Sequence, residues 1–353
     1  MGQFRGAAAA VLVSAVIGSV LTGSPSSASA TSYAPLNRPG PALSVPAATL
    51  AKALSCHGDF HANTLEPVLL DPATGVTPDE NYAWNWEPAF NLQHRPWCAL
   101  TMPFHTLGDI QTSGEYIVYG IRQMYALASR KIAVMGHSQG GMSMRWALRF
   151  WPDTRAKVDD VIGMAGDNHG TSTATVGFCQ VGLTTCTPQG WQQESTSNFV
   201  AAMNSGAETF AGVSYTEIYS LRDEVVLPTT GPNASSPVRT GAGAITNVTT
   251  QSICPLDINE HLLTGTIDPV TYALATDALN HAGPANPARI SKSACSQLFM
   301  PGVNPLNAQA NINILAGLFY VALVPVPFVN LAGAPQVPAE PALKCYVFAA
   351  GCA

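Results

Sequence analysis

One twenty-residue stretch constrains this chain more than any other. A short apolar run, Lys131-Ile-Ala-Val-Met135, meets Gly136-His137-Ser138-Gln139-Gly140, and Met142-Ser-Met-Arg-Trp-Ala-Leu-Arg-Phe150 follows at helical period. Strand, tight turn and helix in that order are the setting in which G-x-S-x-G forms a nucleophile elbow. The serine must project from a strained turn, so Gly136 and Gly140 stand where a Cβ would obstruct the passing backbone. A helix that starts directly behind Ser138 aims free N–H groups at the site, which favours a developing oxyanion.

The rest of the chain sets the bounds. Residues 1–30 read as a secretory signal: Arg5 supplies the positive start, 7–21 the apolar segment, and Ala28-Ser29-Ala30 the small-residue cleavage site. A mature, secreted chain is therefore expected to begin near Thr31. Charged residues make up only 11% of the sequence and the net charge is −6, with no basic patch to hold phosphates, so nucleic acid is excluded as a partner. All eight cysteines follow the signal, and an even number in an oxidising compartment makes disulfides the default.

Along the mature chain, 31–46 is a Pro/Ala/Ser-rich arm and 47–54 a short helix. Strands are expected at 66–70, 97–102, 131–135, 157–165 and 216–220, with a turn at 71–75 and a helix over 112–129. Alternation of this kind predicts an α/β fold, a mostly parallel sheet with helices on both faces. Residues 170–190 read as a loop over the site that Cys179 and Cys186, seven apart, would pin. The apolar segment 312–331 is interrupted by Pro325, Pro327 and Asn330, which favours a packed helix and loop over a membrane span.

A serine hydroxyl becomes a useful nucleophile only when a histidine takes its proton and a carboxylate holds that histidine. Where an elbow precedes both partners, the chain order is Ser, then Asp or Glu, then His. Downstream of Ser138 stand His169, which is early for the base, and His261 and His281, which spacing alone separates only modestly. Among the acids, Asp223 closely follows the strand expected at 216–220, where a loop-borne carboxylate belongs. His57, Asp59 and His61 lie within five residues but lack helical H-E-x-x-H spacing, and Gly58 argues against a helix there, so no metal is expected.

Over most of its mature length the chain resembles the Candida antarctica lipase B-like family of secreted α/β-hydrolase serine lipases. The matching residues are Pro67-Val-Leu-Leu70, Pro72-Ala-Thr-Gly75, Asn85-Trp86, Ser138-Gln-Gly-Gly141, Tyr219-Ser220, Asp223-Glu-Val225 and His261 after Cys254. The resemblance implies a single-domain α/β-hydrolase fold over 31–353, with Ser138 as nucleophile, Asp223 as orienting acid and His261 as base. It implies Thr74 and Gln139 as the oxyanion hole and Asp167 on the acyl side of the pocket. It also implies disulfides Cys56–Cys98 and Cys254–Cys295, each worth roughly 3–4 kcal/mol in the chain-entropy model. Cys345–Cys352 would pin a tail that, with the apolar helix, spans 307–353. Cys179–Cys186 has no counterpart in the family and rests on spacing alone.

The expectation is a secreted, monomeric serine esterase or lipase without cofactor, acting on small-molecule or lipid esters, with a lipid–water interface as a further partner. The same machinery serves a polyester depolymerase or an acyltransferase. A catalytically inactive binding protein on this fold would ordinarily lack one of the triad or oxyanion residues.

Overall fold

Seven short strands form one sheet in the order β1-β3-β2-β4-β5-β6-β7. They are β1 (Leu54–His57), β2 (Val68–Asp71), β3 (Trp97–Leu100), β4 (Ile132–His137), β5 (Val158–Met164), β6 (Ser214–Tyr219) and β7 (Ala244–Thr249). The computed structural model describes Gly2, 32–172, 179, 185–323 and 333–351. The predicted signal apart from Gly2, most of the 170–190 loop, part of the 312–331 segment and Cys352 lie outside the described residues. Residues 32–353 cluster as one unit.

Only β1 runs antiparallel, against β3; every other neighbouring pair is parallel. The central strands are buried along nearly their whole length, as parallel strands covered on both faces must be. Their period of two splits the core. Leu69, Ile132 and Val134 pack on one face with Ile117, Ile121 and Trp146. Val68, Leu70, Ala133 and Met135 pack on the other with Val270, Leu274 and Ala278. The helix Ile110–Ala128 starts at Asp109, whose side chain accepts from the Gln111 N–H, and ends at Ser129 in the left-handed region (φ 51°). The helix Gln139–Phe150 stops ahead of Pro152.

Two strands escape the sequence reading. β1 takes over where the expected first helix should have reached Leu54; that helix ends at Ala53. β7, Ala-Ile-Thr-Asn-Val-Thr, closes the opposite edge with most of its residues partly exposed. Both are edge strands, without the continuous apolar run that marks a central one.

The arm is docked. Tyr33 bridges Phe348, the Ala34 N–H donates to Val347 O (2.8 Å), and Trp151 Nε1 donates to Pro41 O (2.9 Å). Disulfides Cys56–Cys98, Cys179–Cys186 and Cys254–Cys295 are present, the first tying β1 to β3 at paired positions. The apolar C-terminal segment begins as the helix Ala308–Leu323, and no helix among the described residues is long and apolar enough to cross a membrane.

Candidate active site

At the C-terminal end of β4 the chain turns through Ser138 (φ 55°, ψ −124°) directly into the helix Gln139–Phe150. Positive φ at a serine is strained, and the surroundings hold it: the Ser138 N–H donates to Met164 O (2.8 Å), and Ser138 O accepts from the Gly141 N–H (2.8 Å). A Cβ at Gly136 would enter the backbone of Gly140, and one at Gly140 would enter the carbonyls of Asp71 and Pro72. Both glycines are therefore required by close approach.

The structure brings Ser138, His261 and Asp223 together. The Ser138 hydroxyl lies 2.9 Å from His261 Nε2, and His261 Nδ1 lies 2.8 Å from Asp223 Oδ2. All three are buried. The other Asp223 oxygen accepts from the Val225 and Val226 N–H groups (2.9 and 2.7 Å), which fixes the carboxylate plane. His281 is left at the end of the helix Pro269–Asn280, its Nδ1 bonded to Asp277 O (2.8 Å). His169 pairs with Glu208 (3.5 Å).

Burial alone would push the His261 imidazole down, but Asp223 foremost, then Glu224 and Glu260, outweigh it and hold the group above its ordinary value. His137, next to the serine, is pushed down to about 3 by burial and by the neighbouring His261. Its Nε2 faces His261 O (3.2 Å), and its Nδ1 faces Asn81 Nδ2 (3.2 Å). Asn81 Oδ1 in turn accepts from the Ala73 N–H (2.7 Å), so one chain of bonds links His261 to the turn that carries Thr74.

Thr74 lies just past β2, facing Gln139. Its hydroxyl donates to Gln139 Oε1 (2.8 Å), and Gln193 Nε2 donates to both Thr74 Oγ1 and Gln139 Oε1 (3.2 Å each). Gln139 Nε2 donates to Thr106 O (3.0 Å). The backbone N–H groups of Thr74 and Gln139 have no acceptor among the described residues. Gln193 and Asn81 were invisible to motif reasoning, because each meets the site only through tertiary contact.

Asp167 is buried, and neither carboxylate oxygen has a hydrogen-bond partner. Burial above all, with Asp223 adding to it, pushes this group up to about 7. Over His261 lies the helix Ala308–Leu323, with the Phe319 ring 5.3 Å from the imidazole. Leu315 and Phe319 pack with Ala73, Val76, Val225, Val226 and Leu262. Tyr320 anchors the helix by donating to Glu224 Oε1 (2.7 Å).

A mostly parallel sheet whose fourth strand feeds a strained serine into a helix is the α/β-hydrolase architecture. A model of the class 2 lipase family matches residues 121–261. Lipase B of Pseudozyma antarctica is 32% identical over 319 residues, which is 88% of this chain and 88% of the relative. The crystal structure of Aspergillus fumigatus lipase B is similar with a TM-score of 0.76 at 31% identity, covering 89% of this chain and 74% of that one. The chain belongs to the lipase B family and is a carboxylic ester hydrolase.

Proposed function

We propose that this protein is a secreted serine lipase or esterase that cleaves carboxylic esters, triacylglycerols or shorter acyl esters, through an acyl-enzyme on Ser138. The observation that carries the reading is the continuous hydrogen-bonded chain Ser138–His261–Asp223 at the elbow. Ser138 Oγ attacks the ester carbonyl as His261 takes its proton; Asp223 holds the imidazole and balances its charge. His261 then returns the proton to the departing alcohol, and water repeats the sequence to clear the acyl group.

The tetrahedral oxyanion is held by the Thr74 and Gln139 N–H groups, both free to donate, with the Thr74 hydroxyl as a third donor. That hydroxyl must first turn from Gln139 Oε1, and Gln193 remains to satisfy the oxygen it leaves. Asp167 lines the acyl side, largely neutral below pH about 7. The disulfides and the signal-like first 30 residues support secretion. No step requires a metal or cofactor.

Initial rates on p-nitrophenyl esters from acetate to palmitate test the reading. Turnover is expected, with the optimum chain length choosing esterase or lipase; a folded protein that turns over no member of the series would refute it. Thr74→Val should lower kcat by about 10²-fold with KM little changed. An unchanged kcat would remove the hydroxyl from the oxyanion hole and leave the two backbone donors.

The pH profile follows from the charge around His261. The base must be neutral to accept the serine proton, and its folded pKa is raised, so kcat/KM falls as pH drops through a midpoint above the ordinary value of 6.5. Glu224→Gln removes one of the carboxylates that raise it, so the midpoint should move down. A wild-type midpoint at or below 6.5 would contradict this account.

A further inference from the structure

At the end of the sheet remote from Ser138, three carboxylates converge. Glu66 precedes β2, and Asp159 and Asp160 open β5, whereas Ser138 follows the far end of β4. One oxygen from each lies within 4.8 Å of the other two. Asp160 is 3% exposed, and its Oδ1 is buried without a hydrogen-bond partner. Glu66 Oε1 is in the same condition.

The neighbouring cations do not balance these charges. Lys131 pairs with the exposed Asp159 (3.2 Å) and also donates to Gly212 O. Arg95, near Glu66, spends its guanidinium on Glu66 O, Gln93 and Asn280. Among the described residues, neither the Glu66 nor the Asp160 carboxylate has a salt-bridge partner. Two desolvated carboxylates side by side are costly unless a shared proton or a cation joins them.

We propose that Glu66, Asp159 and Asp160 form a calcium site that stabilises the fold. Calcium takes six to eight oxygens at about 2.3–2.6 Å, so oxygens on opposite sides of one ion stand up to about 5 Å apart. Oxygens that all lie within 4.8 Å of one another fit inside that span. The exposed Asp159 gives the ion a path from solvent, and water completes its shell.

Calorimetric titration of CaCl2 into the full protein, freed of divalent ions with a chelator, should show saturable uptake of one ion per chain. In 5 mM CaCl2 the Tm should exceed that in NaCl of equal ionic strength by about 3 °C. Asp160→Asn should abolish both effects, and Glu66→Gln serves if that variant does not fold. Absence of saturable uptake by the unsubstituted protein would overturn the site and leave Glu66 and Asp160 sharing a proton. An equal gain in Tm for a folded Asp160→Asn variant would overturn it as well. Neither result depends on ester turnover.

Discussion

Ser138→Ala should lower kcat on p-nitrophenyl esters by about 10⁴–10⁶-fold while Tm stays within a few degrees of the parent. The substitution deletes one oxygen and no packing. Among the described residues the Ser138 side chain bonds only to His261 Nε2, so its loss leaves the core, the elbow backbone and the proposed oxyanion donors in place. Residual catalysis of roughly 10³-fold over water would come from those donors and from substrate binding. His261→Ala should cost about as much, and the double variant little more, because in the proposed mechanism the serine and the histidine act as one unit. Losses that multiplied in the double variant would mean that the two residues do not work through each other.

Gly140→Ala should be a highly damaging small substitution, lowering Tm by about 5–10 °C and kcat/KM by more than about 10²-fold. A Cβ there meets the main-chain carbonyls of Asp71 and Pro72, and backbone cannot rotate aside as a side chain can. Overpacking of that kind costs about 2–3 kcal/mol. The relief available is to drive the elbow helix away from the turn that carries Thr74. An ångström of misplacement between nucleophile and oxyanion donors is enough for the kinetic loss. Gly317→Ala is the control. It lies exposed in the helix Ala308–Leu323 with nothing within 4 Å of its added Cβ, and alanine is the better helix former. Melting curves and ester kinetics on the two variants decide the matter, and equal behaviour would show that close approach at Gly140 is not limiting.

The parts of this protein that are legible in sequence are those whose residues are neighbours in sequence. The elbow needs only 131–150, and the central strands declare themselves as apolar runs because both of their faces are covered. β1 and β7 do not, since an edge strand half in water carries a mixed pattern. The cysteine pairs Cys56–Cys98 and Cys254–Cys295 follow from the family resemblance. The pair Cys179–Cys186 follows from its short spacing.

The histidines show the limit most clearly. His261 and His281 both follow Asp223, and spacing alone separates them only weakly. One lies 2.9 Å from Ser138, whereas the other stands at a helix end against Asp277. By itself, then, the sequence determined a parallel α/β sheet, the serine at its centre and an acid on the loop after β6, because backbone strain and hydrophobic period are local properties. Spacing left the histidine open and the family resemblance pointed to His261, whereas tertiary structure alone decided that Gln193 and Asn81 brace the Thr74 turn and that Glu66 meets Asp159 and Asp160. Those contacts join residues many positions apart, and only the packed sheet sets the distances between them.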